Sequence, residues 1–146
     1  MARDPKALSH PQIQRVETSF AAQGLMATLG ATLEALGPGS SRIAAPILPG
    51  SRQQQGFAHA GLTFAIGDSA AGYAALTTMP EGFEVVTAEM KINLLAPGLG
   101  DRLVAEGRVL KPGKRLIVTQ ADVYADKGGT RRHIATLLGT MVPVPA

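Results

Sequence analysis

One carboxylate is set apart by its surroundings. Between Arg52 and Glu81 the only charged side chain, with histidine counted as neutral, is Asp68. From Gly61 to Leu76 the residues Leu62, Ala65, Ile66, Ser69, Tyr73 and Leu76 recur at three- and four-residue spacing, which predicts a helix. The other faces of that helix are Ala, Gly and Thr rather than Lys or Glu, so protein should wrap it on nearly all sides. A carboxylate in such a place is costly unless it is paired, hydrogen-bonded or protonated. Asp68 is therefore either a structural acid, held by a buried arginine or by backbone amides, or a group that does chemistry. The residues before it favour chemistry. His59-Ala60-Gly61 sits where a loop becomes the helix, and free backbone N–H groups at a helix N-terminus can hold a developing oxyanion. Asp68 follows Gly61 by seven residues, about 10 Å along the helix axis, so a substrate lying along the helix could meet both groups.

Other chemistries find less support. His10, His59 and His133 stand far apart without a second ligand at helical or hairpin spacing, so no metal site is expected. The chain has no cysteine, which excludes disulfides, thiolate metal ligands and a cysteine nucleophile. Gly98-Leu99-Gly100 lacks a third glycine, and no Gly-Lys-Ser/Thr occurs, so no phosphate loop is present. Gly67-Asp68-Ser69-Ala70-Ala71 nearly spells a nucleophile elbow. That motif needs a strand before the serine and a large α/β scaffold, whereas Ser69 lies deep in a helical pattern, where a packed small residue is expected.

Positioning these groups falls to the elements around them. Ser9 is an N-cap candidate with Pro11 in the first turn, and Ile13, Val16 and Phe20 keep helical spacing, which predicts a helix over about 10–23. Residues 25–36 are ambiguous between a helix and the first arm of a hairpin. The Gly37-Pro38-Gly39-Ser40 turn and the strand-like 41–48 favour a hairpin, with Pro46 pointing to an edge position. The central helix should span about 60–78. After it, Val86, Ala88, Met90, Ile92 and Leu94 alternate with Thr87, Glu89, Lys91 and Asn93, a half-buried strand. Strands over 102–110, 115–124 and 131–142 follow, the last two joined by Asp126-Lys127-Gly128-Gly129. Helix followed by strands reads as an α+β domain, an antiparallel meander packed on one buried helix.

The 146 residues fit a single domain, 45% hydrophobic and 17% charged, an ordinary globular balance. The N-terminus lacks the apolar core of a signal peptide, and no apolar run reaches the length of a membrane span, so a cytoplasmic protein without membrane contact is expected. Net charge is +3, with scattered basic residues and no aromatic–basic platform; nucleic acid is not an expected partner, whereas an anionic small molecule is.

Two motifs at compatible spacing carry a family resemblance. Gln53-x-x-Gly56-x-x-His59-Ala60-Gly61-Leu62, with the Asp68-Ser69 pair in an Ala/Gly-rich helix, is one. The other is Ala88-Glu89-Met90-Lys91-Ile92-Asn93-Leu94-Leu95-Ala96-Pro97, followed by the segment from Ala105 to Leu116. Over about residues 20–143 the chain resembles the PaaI-like acyl-CoA thioesterases of the hotdog fold. The resemblance implies an antiparallel β-sheet wrapped around a long central α-helix, with residues 31–36 and 41–48 as strands. It also implies a homodimer or homotetramer with active sites between subunits. Asp68 would be general base or nucleophile, and the backbone N–H of Ala60, with Gly61 beside it, the oxyanion donor after His59. Gln53 would position substrate, with Gln54 and Gln55 as alternatives, and Thr87 would reach in from a partner subunit. Where many relatives read His-Gly-Gly, this chain has His59-Ala60-Gly61, which a backbone donor tolerates unless positive φ is required. Lys111, Lys114 and Arg115 at one turn, or Arg131-Arg132 at another strand end, would meet the phosphates of coenzyme A, which enters as part of the substrate. No other cofactor is implied. The expected reaction is hydrolysis of an acyl-CoA to a carboxylic acid and free coenzyme A. The alternatives are a hotdog protein that binds acyl-CoA or another ligand without turnover, a hydratase on the same fold, and a purely structural domain.

Overall fold

The computed structural model describes residues 6–146. The chain begins with helix α1 (His10–Ala22), opened by a capping box in which the Gln12 amide donates to Ser9 Oγ at 3.4 Å and the Ser9 amide donates to Gln12 Oε1 at 2.8 Å. A single turn of helix, α2 (Gly24–Thr28), precedes β1 (Thr32–Gly37) and β2 (Ser40–Pro46), so the ambiguous 25–36 stretch is part helix and part strand. A 3-10 turn at Pro49–Ser51 leads through a loop to the central helix α3 (Ala60–Leu76). Four long strands close the chain: β3 (Phe83–Leu94), β4 (Arg102–Lys111), β5 (Ile117–Lys127) and β6 (Thr130–Pro145). None of the described helices is long and apolar enough to cross a membrane.

All six strands form one antiparallel sheet in the order β1-β2-β4-β5-β6-β3, curled around α3. This is the α+β hotdog architecture. Two expectations about the sheet need correction. The last four strands are not a simple meander: β3 pairs with β6 rather than with its sequence neighbour β4. The connection from β3 to β4 instead passes the start of α3, where the Ala58 amide donates to the Gly98 carbonyl at 2.9 Å and the Asp101 amide to the Asp126 carbonyl at 2.8 Å. Nor does Pro46 mark an edge. β2 lies between β1 and β4, and Pro46 is tolerated because it is the strand's last residue, where the ladder runs out. The Gly128-Gly129 turn between β5 and β6 forms as expected, both residues at positive φ.

The core lies between α3 and the concave face of the sheet. From α3 it takes Leu62, Ile66, Ala70, Ala71 and Leu76, and the strands add Ile43, Leu103, Val123, Leu137 and Met141. At Gly107 of β4 the two layers nearly touch: a Cβ there would overlap the Ala70 carbonyl and come 2.7 Å from the Ala71 nitrogen. Ser41 of β2 donates its hydroxyl to the same Ala70 carbonyl at 2.6 Å. Glycine on β4 and alanine on α3 are what allow so close an approach. Helix α1 packs across α3, where Arg15 bonds the Met79 and Pro80 carbonyls at 2.9 and 2.8 Å and so serves the C-terminal end of α3.

Candidate active site

His59 is the N-cap of α3. Its backbone is extended (φ −63, ψ 142), and its ring Nδ1 accepts the Gly61 N–H at 2.7 Å, which places the ring proton on Nε2. The Gly61 amide is thereby engaged, which leaves the oxyanion role read for both residues to Ala60 alone. The Ala60 N–H has no acceptor among the described residues, and it points out of the positive end of a 17-residue helix. Ala60 needs no positive φ, consistent with its replacing the commoner glycine.

Gln53 holds the loop before the helix together. Its Oε1 accepts the amides of Gln55 at 2.5 Å and Phe57 at 3.3 Å, and its own amide donates to the Phe57 carbonyl at 2.8 Å. Only its Nε2 faces outward, donating to Gln55 Oε1 at 3.2 Å. Gln54 and Gln55 are exposed on the same loop, which Gly56 turns at φ +87.

Asp68 sits half-buried on α3. The sequence left open a structural role in which a buried arginine or backbone amides would hold it. Among the described residues neither does: its one partner is the Thr87 hydroxyl, which donates to Oδ1 at 2.7 Å. Burial without a cation pushes the Asp68 carboxyl above the usual carboxylate range, and the Thr87 bond pulls the other way. Thr87 reaches it from the same chain, not only from a partner as the resemblance implied. It can do so because of a β-bulge in β3 between Thr87 and Glu89. The bulge also corrects the alternation read from sequence. Val85 and Thr87 face the helix, then the phase changes and Met90 and Ile92 take over, while Val86 (47% exposed) and Ala88 turn outward.

Beside Asp68 and Thr87 opens a cleft of about 260 Å³, which Ser69, Gly72 and Tyr73 of α3 line together with Val85 and Glu84 of β3. Helix α1 closes it with Ser19 and Gln23. None of these last four polar neighbours (Ser19, Gln23, Tyr73, Glu84) stood out in the sequence. The one available signal was the hydroxyl of Tyr73, one helical turn beyond Asp68 and Ser69 on a mostly apolar helix. Ser69 takes a lining place, with no histidine of its own chain beside it among the described residues.

Ala60 and Asp68 are eight residues apart on α3, about 12 Å along the axis. A reacting carbon must lie about 3–3.5 Å from its attacking atom. Within one chain the two groups are therefore too far apart for Asp68 to attack directly a carbonyl held by the Ala60 amide. An uncovered stripe links the two, Ala60, Gly61, Phe64 (37% exposed) and Ala65, so the wrapping expected on nearly all sides is incomplete at this end of α3. Next to it β3 forms a free sheet edge, twelve residues long and without proline.

The basic residues fall into two groups. Lys111, Lys114 and Arg115 lie at the β4–β5 turn, and Lys114 borders a cavity of about 490 Å³ with Met79, Phe83 and Pro112 beyond the C-terminal end of α3. No carboxylate among the described residues pairs with them. Arg131, by contrast, is committed to Asp126, with Nε 2.7 Å from Oδ1, and Arg132 stands exposed beside it.

Residues 55–131 match the family model described as Thioesterase superfamily. A thioesterase family protein from Silicibacter pomeroyi is 41% identical, with a TM-score of 0.90 over 92% of this chain and 99% of that one. The BH2602 protein from Bacillus halodurans, solved with CoA, is 26% identical, with a TM-score of 0.72 over 92% of this chain and 84% of its own. The E. coli PaaI protein, from the phenylacetic acid degradation operon, shares the fold at 20% identity, with a TM-score of 0.84 over 95% and 97% of the two chains.

Proposed function

The chain belongs to the thioesterase superfamily, and from that premise we propose that it hydrolyses acyl-CoA thioesters, with Asp68 of one copy and the Ala60 amide of another acting on the same carbonyl. The observation that carries this reading is Asp68 itself: a half-buried carboxylate with no cation beside it among the described residues, held by one hydroxyl at the wall of a cleft. A structural acid would be paired. A group kept desolvated and oriented suits proton transfer or attack.

In the proposed reaction the thioester oxygen takes the Ala60 N–H, where the helix dipole favours the negative charge that develops as the carbonyl becomes tetrahedral. Asp68 removes a proton from water as the water oxygen bonds to the carbonyl carbon. Collapse of the tetrahedral species breaks the C–S bond, and the proton passes from Asp68 to the leaving sulfur. The products are the carboxylic acid and the free thiol of coenzyme A. Direct attack by Asp68, followed by hydrolysis of the anhydride, gives the same products. Thr87 fixes the carboxylate. His59 fixes the entry of α3 through the Gly61 amide, and Gln53 fixes the loop before it, its Nε2 being available to substrate.

What supports a two-copy site is the roughly 12 Å between the groups along one helix. A twofold partner joined along the free β3 edge would lay the two α3 helices antiparallel, so that Ala60 of each approaches Asp68 of the other. A homodimer is the smallest assembly that completes the site, and a homotetramer contains two of them. Lys111, Lys114 and Arg115 are unpaired cations clustered at one turn and available to the phosphates, and the CoA complex of the Bacillus halodurans protein supports such a ligand. A chain that binds acyl-CoA without turnover is the alternative. The test is thiol release from short, medium, long and aryl-acetyl CoA esters by wild type and Asp68→Asn. Turnover by the wild type with a loss of about 10²-fold or more in the variant supports hydrolysis. Binding of the esters by both proteins with turnover by neither overturns it.

A further inference from the structure

The cleft beside Asp68 has a second polar end that hydrolysis does not use. There the Tyr73 hydroxyl accepts from Gln23 Nε2 at 2.6 Å and lies 3.3 Å from Ser19 Oγ. Tyr73 is only 3% exposed, and its ring meets Phe20 edge-on with centroids 6.0 Å apart, so the hydroxyl is held in place. Having accepted from Gln23, it keeps its own proton to donate, and 3.3 Å to Ser19 is a long bond for it. Gln23 Oε1 has no partner among the described residues. This end of the cleft therefore offers both a donor and an acceptor.

We propose that the cleft receives the acyl group and that Ser19, Gln23 and Tyr73 select compact, uncharged acyl groups with a hydroxyl or carbonyl at their far end; this rests on the hydrolytic reading above. Size is the first argument. At about 30 Å³ for each water-sized group, the 260 Å³ that this chain itself encloses holds roughly nine non-hydrogen atoms, the size of a short acyl group. Polarity is the second. A plain alkyl tail would strip water from the Tyr73, Ser19 and Gln23 groups and return no hydrogen bond. Charge is the third. Asp68 and Glu84 both line the cleft and no lysine or arginine among the described residues does, so a second carboxylate on the acyl group would be repelled.

The test compares kcat/KM for hexanoyl-CoA and 6-hydroxyhexanoyl-CoA in wild type, Tyr73→Phe and Gln23→Leu. The wild type should favour the hydroxy ester by about ten-fold or more, since sites built to bond a hydroxyl reject its absence strongly. Each variant should bring the ratio close to one, mainly by slowing the hydroxy ester. A purely structural role in pinning α1 to α3 would slow both esters alike and leave the ratio in place. A wild-type ratio at or below one, or a ratio that neither variant moves, overturns the proposal. The same pair is also read as dissociation constants for the intact esters on Asp68→Asn. Preferential binding of the hydroxy ester without turnover by the wild type would sink hydrolysis but keep the pocket. Equal dissociation constants would sink the pocket whatever the turnover.

Discussion

Replacing Gly107 by alanine should move the central helix and, with it, the Asp68 carboxylate. The added methyl would come 2.7 Å from the Ala71 nitrogen and overlap the Ala70 carbonyl, whereas ordinary contact begins at 3.4 Å. The difference, 3.4 − 2.7, asks α3 to withdraw from β4 by about 0.7 Å at the least. Both obstacles are helix backbone, so no side chain can rotate away, and the Ser41 bond to the Ala70 carbonyl is stretched by the same shift. Overpacking of this kind costs about 1–3 kcal/mol. At this chain length that corresponds to a melting temperature lower by roughly 3–12 °C. Asp68 lies two residues before Ala70 on the same helix, and a displacement approaching 1 Å at a reacting group costs up to about 10²-fold in rate. Thermal unfolding with thiol-release kinetics on the best ester measures both effects. Gly50→Ala is the control: its Cβ meets nothing within 4 Å, and it should stay within about 0.5 kcal/mol of the wild type. A Gly107→Ala protein with wild-type melting temperature and kcat would refute the view that this contact sets the depth of α3.

The raised pKa of Asp68 fixes the sign of two pH effects. The folded state holds this proton more tightly than the unfolded chain, so stability falls as pH rises from 3.8 through the raised value. Asp68→Asn should therefore melt a few degrees higher than wild type at neutral pH, with the gap closing in acid, as followed by thermal melts across pH. Thr87→Val removes the one bond that favours the ionised form, so the acid limb of the kcat profile should move to higher pH and neutral activity should fall about ten-fold. Asp122 behaves oppositely: despite the opposing effect of burial, the Thr136 hydroxyl and Arg108 hold it below the usual range. Asp122→Asn should cost about 1–3 kcal/mol at neutral pH, a loss that disappears as pH falls through the lowered value, with kcat largely kept. Lys114→Gln should raise KM for CoA esters several-fold while leaving kcat close to wild type if that turn meets the phosphates, and steady-state kinetics in low salt reads it directly.

The parts of the site that rest on local order could be read from the chain. An isolated acid on an Ala/Gly helix, an amide after His59 at the helix start and a turn at Gly128-Gly129 each depend on neighbours within a few residues. What escaped depends on distant ones. No local signal says that β3 must pair with β6, because that pairing forms only when the sheet closes around α3. The bulge at Thr87/Glu89 was hidden because Val86, Ala88 and Met90 alternate as well on paper as they would without it, yet the bulge is what turns Thr87 toward Asp68. Gln23 and Tyr73 meet across fifty residues of sequence, so the α1 wall of the cleft was beyond any spacing rule. The Gly61 amide looked as free as that of Ala60 until the His59 ring was seen to take it.

The central claim is that Ala60 and Asp68 of different copies serve one carbonyl, and two inactive variants mixed together test it. Ala60→Pro removes the amide proton at the first helical position, where proline is well tolerated and His59 already has the extended backbone proline needs before it. Ala60→Pro and Asp68→Asn should each lose about 10²-fold or more of the thioesterase activity. Unfolded and refolded together, half of the dimers should be mixed, and each mixed dimer should hold one intact site. The account predicts recovery of about a quarter of wild-type activity under that random pairing. If each variant is inactive and the mixture gains nothing, the two groups do not meet across copies, and the account is contradicted.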